Sequence, residues 1–309
     1  MARYVIGKAL LALLVVLIVS LIGFLLVFAA GDPAVKVAGE AGSALDADRL
    51  RTFYGLDRPI LLQYWTWLAG FAGGDMGRSI YFDTPVAPVL LKAFGVTLRI
   101  GALGIVFALA LGVPLGIAAA WKPDALLDRV ASAVALLGQA IPTFWLALML
   151  VVVFSVQFNL LPASGLDSWR GYVMPTVVLG LYSTPGLLRL TRSGMLEVLS
   201  SDYLRTARAM GIALKTILFK YALRNAILPV VSLAAAQFGY ILAGSVVVET
   251  VFAIDGAGRL AWQSILRSDL AMVQALIVCF SALYIVLTFA ADAANAWLDP
   301  KLRHAGSGR

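Results

Sequence analysis

The chain has 309 residues, 61% of them hydrophobic and 13% charged, a composition too apolar for a soluble domain of this length. Its net charge of +7 comes without a basic patch interleaved with aromatic residues, which argues for a sided charge distribution across a membrane and against nucleic-acid binding. One cysteine, Cys279, excludes an intrachain disulfide, and one histidine, His304, excludes a conventional protein zinc site and a histidine-based nucleophile triad, so no catalytic or metal-ligating residue is assigned.

A helix needs about 20 apolar residues to cross a hydrocarbon layer of ~30 Å. The sequence therefore predicts an all-α membrane protein, a single transmembrane domain over 1–309, with six spans at about 9–30, 97–120, 130–154, 173–190, 226–248 and 272–294. Six spans put both termini on one side; 14 of the 24 Lys and Arg residues fall there, which makes that side cytoplasmic. The first run exceeds the about 7–15 residues of a secretory leader core and reads as a span, although Ala29 and Gly31 imitate a cleavage site.

In chain order, GDP at 31–33 ends the first span, and an outer loop over 31–96 follows. Within it lie a polar helical piece near 45–54, GLDRP at 55–59, an apolar piece at 60–71 with Tyr64, Trp65 and Trp67 that suits a membrane interface, and a Gly-rich turn, GDMGRS, at 74–79. The second span carries Gly101, Gly104, Gly112 and Gly116, small residues that permit close helix contact. The third carries Gln139, Pro142 and Thr143; its proline predicts a kink that either faces a solute path or is satisfied by neighbouring helices.

An outer loop at 159–172 precedes Pro175, which opens the fourth span. Tyr182, Ser183, Thr184 and Pro185 sit near its middle, to line a path or to bond their own helix backbone. The fifth span holds Gln237 and Tyr240 among small residues; the Gln237 amide is costly in lipid and suits either a peptide bond or a neighbouring helix. The candidate pathway residues are thus Gln139, Thr143, Tyr182, Gln237 and Tyr240. ETVFAIDGAGRL at 249–260 follows outside; its GxG does not follow a strand and is no dinucleotide fingerprint. The sixth span carries Asp292 near its inner end.

The loop at 191–225 is the most informative stretch. Asp202 is placed to cap a short helix over 203–210, and Gly211 to stop it. Tyr203, Ala207 and Met210 share one face at i, i+4, i+7, predicted to be buried, while Arg205 and Arg208 share another that is presented outward.

A short helix, a fixed glycine and a helix re-entering the membrane resemble the coupling loop of ABC importer permeases, whose motif reads E-A-A-x-x-x-G. Here Arg205, Thr206, Ala207 and Gly211 occupy its positions, so the glutamate and first alanine are absent, and Arg224 stands where that superfamily has a downstream proline. With YLRTARAMG, ALRNAILPV, ETVF…GAGRL, the ordered GDP, GLDRP and GDMGRS, and LDPKLR at 298–303, the chain is similar to the dipeptide, oligopeptide and glutathione branch. Asp255 replaces the proline usual before that branch's first glycine of GAG.

The resemblance implies a non-catalytic, multi-pass permease of the bacterial inner membrane that imports short peptides and forms half of the translocation pathway. Its partners would be a second related permease, two cytoplasmic ATPase subunits, an extracytoplasmic solute-binding protein and membrane lipid. ATPase coupling would fall to Asp202, Tyr203, Arg205, Thr206, Ala207, Arg208, Met210 and Gly211. The chain has no G-x-x-x-x-G-K-[ST], so ATP and Mg would be bound by the partners and no cofactor by this chain. The same branch includes importers of nickel chelates and other small solutes. A stand-alone secondary carrier lacks paired intramembrane charges here, and a paired-aspartate membrane enzyme lacks a second aspartate to face Asp292.

Overall fold

The computed structural model describes residues 2–29, 31–32, 34–35, 44–79 and 81–298. Most of the LDPKLR segment, His304, Pro33 of the GDP turn and the side chain of Asp292 lie outside the described residues. The described chain is helical, with one isolated antiparallel bridge between Arg78 and Pro85.

In chain order the helices are α1 (Ala2–Ala29), α2 (Ala44–Tyr54), α3 (Ile60–Ala72), α4 (Val86–Trp121), α5 (Leu126–Ala140) and α6 (Thr143–Leu150), the last continuing as a π-helical stretch, Val151–Gln157. Then come α7 (Trp169–Leu199), α8 (Asp202–Ala209) and α9 (Leu214–Thr216), which runs through a second π-helical stretch, Ile217–Ala222, into α10 (Leu223–Val251). α11 (Ala257–Leu266) and α12 (Leu270–Leu298) complete the series.

Among the described residues, α4, the continuous helix Leu214–Val251, and Leu270–Ala290 of α12 are long and apolar enough to cross a membrane. α5 and the helix Thr143–Gln157 meet at 100° and make a fourth crossing if the bent pair is one broken span. The break falls at Pro142, which lacks the N–H an unbroken helix would need. α1 contributes a shorter apolar stretch, Leu10–Leu26.

The polar middle of α7 is buried in protein, with Ser183, Thr184 and Thr191 at most 3% exposed. Thr184 and Thr191 donate to the carbonyls of Gly180 and Leu187 at 2.8 and 2.7 Å, the local backbone bonding that lets such residues sit inside a helix. Pro175 lies inside α7, which starts earlier, at Trp169.

The chain divides into two compact units. One comprises residues 1–97 and 255–286, the other 98–254 and 287–309. In the first, Val86, Leu90, Ala93 and Phe94 of α4 form a buried cluster with Ala257, Leu260, Met272, Ala275 and Leu276. Side-chain hydrogen bonds clasp this unit: the Ala257 N–H donates to Thr97 Oγ1 at 2.8 Å, Ser79 donates to Asp269, and the hydroxyls of Ser20 and Tyr64 meet at 2.8 Å. Asp255 forms an ion pair with Arg259 one turn on, at 2.9 Å.

The second unit is organised around α7. Along the face it turns to α4, a Cβ added at Gly104 would lie 3.0 Å from Leu179 Cβ, and one at Gly116 2.7 Å from the Leu188 carbonyl oxygen. Gly180 answers from α7, where a Cβ would stand 2.9 Å from the Gly104 oxygen. The two helices approach closely because a glycine at each contact leaves room for the backbone or side chain of the other helix, as the glycine pattern of the sequence predicts. Ala131 and Ala135 of α5 use the same device against Leu188.

Candidate functional site

Helix α8 is only eight residues long, about 12 Å, so it holds its place by what it packs against. Leu204 is fully buried and Ala207 6% exposed. They enter a cluster with Ile117 and Ala120 at the end of α4, Met195 of α7, Ile217, Leu218 and Ala222 of the π-helical stretch, and Ala226 of α10. Burying a leucine of this kind contributes about 1.5–3 kcal/mol. The wider π turn brings Ile217 and Leu218 onto the side facing α8.

The buried face differs from the one expected. Tyr203 is 48% and Met210 68% exposed, so α8 is seated at i, i+3 by Leu204 and Ala207, not at i, i+4, i+7 from Tyr203. Tyr203 lies against α10 instead, its hydroxyl accepting from Asn225 Nδ2 at 3.0 Å. The cap differs as well: Ser201 is the N-cap, without a side-chain cap bond, and Asp202 is the first helical residue. There its carboxylate faces the positive end of the helix dipole and forms an exposed ion pair with Arg205 at 3.5 Å. Thr206 Oγ1 donates to the Asp202 carbonyl at 3.1 Å, and Arg208 Nη2 to the Leu199 carbonyl at 3.2 Å, which ties the exposed face to the end of α7.

The C-terminus of α8 closes as a Schellman motif. The Ile212 N–H donates to the Ala207 carbonyl at 3.2 Å and the Gly211 N–H to the Arg208 carbonyl at 3.0 Å. Gly211 has φ +74° with nothing within 4 Å of an added Cβ, so backbone conformation alone, not space, demands glycine.

Beside this seat, Asp128 and Arg192 join α5 to α7 through two hydrogen bonds, at 2.6 and 2.7 Å. The Arg192 guanidinium and the Asp124 N–H hold the Asp128 carboxyl at about 2, below its ordinary 3.8, against the opposing effect of burial. The same contact pushes the Arg192 guanidinium upward.

The candidate pathway residues fall into three groups. Gln237 and Ser183 meet across α10 and α7, the Ser183 hydroxyl donating to Gln237 Oε1 at 3.3 Å, and Gly186 leaves room for the Gln237 amide. Gln139 is exposed and accepts from Arg189 Nη2 at 3.0 Å. Thr143 is half-buried just after the bend, while Tyr182 and Tyr240 are exposed at 47% and 69%. An open cavity of about 980 Å3 in the same unit is lined by none of these five; Arg99, Phe107, Asp167, Trp169 and Thr176 are among its walls, and the buried Thr176 hydroxyl has no partner among the described residues.

Comparison with known proteins agrees along nearly the whole chain. The family described as "Binding-protein-dependent transport system inner membrane component" matches residues 112–304, and its N-terminal counterpart matches residues 1–100. The glutathione transport system permease protein GsiC of Escherichia coli K12 is 37% identical over 305 residues, covering 98% of this chain and all of that one. A Brucella abortus (strain 2308) protein named for a peptide transport system permease is 36% identical over 302 residues, covering 95% of this chain and 96% of that one. Among solved structures, the inward-facing MetNI methionine ABC transporter superposes with a TM-score of 0.58 at 20% identity, over 68% of this chain and 96% of that one, a likeness of fold. The chain belongs to the binding-protein-dependent transport family of inner membrane components and is a permease of the ABC importer type.

Proposed function

We propose that this permease is one half of the translocation pathway of an ATP-driven importer of short peptides, glutathione among them. The chain crosses the membrane six times with both termini in the cytoplasm. A second, related permease completes the pathway, two ATPase subunits bind ATP and Mg beneath it, and a solute-binding protein delivers substrate to its outer loops. The observation that carries this reading is the seat of α8 in a chain so similar to a glutathione permease.

In mechanism, the exposed face of α8, with Asp202, Tyr203, Arg205, Thr206, Arg208 and Met210, meets the ATPase, and Leu204 and Ala207 pass its displacement to the ends of α4, α7 and α10. A short helix tied at both ends moves as a body, and the attached spans rock with it. Gln237, with Gln139, Thr143, Tyr182 and Tyr240, faces the solute, which alternates between outward and inward access.

Gly211→Val tests the coupling. A β-branched residue at φ +74° is strained by about 1–2 kcal/mol or more, which breaks the Schellman closure without touching an apolar span. In proteoliposomes holding the whole transporter, the variant is expected to insert normally and hydrolyse ATP while uptake of labelled glutathione falls at least tenfold. Uptake at the wild-type rate would remove the coupling role from α8.

A further inference from the structure

In the unit formed by residues 98–254 and 287–309, the cavity of about 980 Å3 opens between α4 and α7, on the N-terminal side of their glycine contacts. The two helices run in the same direction, with Gly104 against Leu179 and Gly116 against Leu188, so Arg99 and Trp169 stand at one end of the cavity. Phe107 closes the other end, where a Cβ at Gly180 would lie 2.5 Å from its Cδ1. The eight-residue rise from Arg99 to Phe107 is about 12 Å. Leu103, Val173 and Val177 line this length, and Leu103 is still 42% exposed. The one hydroxyl below the rim, that of Thr176, is buried behind the wall. The cavity is an apolar trough with a polar end.

That end carries the charge. Arg99 and Asp167 both line the cavity and are exposed, and neither forms an ion pair among the described residues. A ligand of one sign would be attracted by one and repelled by the other, whereas a zwitterion satisfies both. Trp169, 72% exposed, and Tyr172 stand beside them, the aromatic types found at headgroup level. The spans expected at 97–120 and 173–190 put these four residues at one boundary of the bilayer and Leu103, Phe107 and Val177 in its hydrocarbon.

We infer that this trough holds a phospholipid whose headgroup carries a primary ammonium beside the phosphate. The phosphate meets Arg99, the ammonium meets Asp167, and an acyl chain runs along Leu103 and Val177 to Phe107. The volume lies at the upper end of small-molecule clefts, more than a solute the size of an amino acid fills. The inference rests on α4 and α7 crossing the bilayer side by side, as proposed above, and not on what is transported.

The test is native mass spectrometry of the delipidated full chain, titrated with phosphatidylethanolamine or with phosphatidylglycerol of the same acyl chains. One saturable phosphatidylethanolamine site is expected, about tenfold weaker for phosphatidylglycerol, whose head lacks the ammonium. Asp167→Asn should weaken the first lipid about tenfold and not the second, Arg99→Gln should weaken both, and Leu103→Trp, which fills the trough, should abolish the site. Both charged residues are exposed, so an unchanged unfolding midpoint in their variants keeps loss of binding distinct from loss of fold. Equal binding of the two lipids, or a site indifferent to Asp167→Asn, would overturn the assignment. Displacement of the lipid by triglycine would overturn it in favour of a solute subsite, and displacement by the second permease in favour of an interface between subunits. Labelling of Ser168→Cys and Ser200→Cys in a Cys279→Ala background checks the crossing separately. If both are reached from one side of the membrane, the span in α7 fails; if they are reached from opposite sides and no lipid site is found, the lipid alone fails.

Discussion

The seat of α8 and the middle of α7 lie in the same unit and are built on opposite principles. Around α8, aliphatic side chains fill a cluster in which Leu204 and Met195 are fully buried, and polar groups remain on the outer face. In the middle of α7, Ser183 and Thr184 are buried, the contact with α4 is made by glycines, and the Ser183 to Gln237 bond is long at 3.3 Å. The first region, the handle on which α8 is seated, is held by aliphatic volume; the second is held by close approach of backbones at glycines and by hydrogen bonds within and between its helices.

The largest effect should come from the handle. Leu204→Asp puts a carboxylate where no water reaches, among aliphatic side chains, a penalty of several kcal/mol that α8 escapes by leaving its seat. Uptake in reconstituted transporter is expected to vanish, with increased proteolysis at residues 200–212. Leu204→Ala should follow the same course more mildly, at about 2–5 kcal/mol. If Leu204→Asp left the protease pattern and uptake unchanged, the handle would not be built on volume.

Next in size is the ion pair beside the seat. Arg192→Leu leaves the Asp128 carboxylate buried without its cation, at a cost of about 3 kcal/mol. A fall of several degrees in the unfolding midpoint of the purified chain is expected, partly restored by adding Asp128→Asn. Because the folded pKa of Asp128 is depressed, the stabilisation from this pair is complete above the ordinary value of 3.8 and is lost as pH falls toward about 2. The pair should therefore add no pH dependence between about pH 5 and 8. A wild-type midpoint that changed steeply there, and ceased to change in Arg192→Leu, would contradict the sign.

What the sequence made legible follows the same division. Regular patterns could be read: the apolar runs of α4, α10 and α12, the glycines of α4, the proline break between α5 and α6, and Gly211, whose stop is local backbone chemistry. The face of α8 was misread because Tyr203 and Met210 are large and fall at helical spacing, yet in an eight-residue helix two residues suffice to seat it, and Leu204 was the aliphatic one available. Asp128 and Arg192 are 64 residues apart, and neither has a neighbour in sequence that announces the other. The span expected at 173–190 lies within α7, but hydropathy could not tell that the polar pair Ser183 and Thr184 is buried in protein, because it measures only preference for lipid.

The smallest effect on stability should come from the Ser183–Gln237 contact between α7 and α10, where it is also most informative about function. Gln237→Leu removes one long hydrogen bond from a half-buried amide, worth about 0.5–1 kcal/mol, and keeps a similar volume beside Gly186. The unfolding midpoint should barely move. If Gln237 faces the solute, uptake of glutathione should fall several-fold while ATP hydrolysis stimulated by the loaded binding protein persists, because the handle at α8 is intact. If the amide serves only to hold α10 against α7, uptake and stimulated hydrolysis should change together and slightly, and Gln237→Glu, which retains an acceptor for the Ser183 hydroxyl, should restore both. The two variants thus separate a residue that touches the solute from one that spaces two helices.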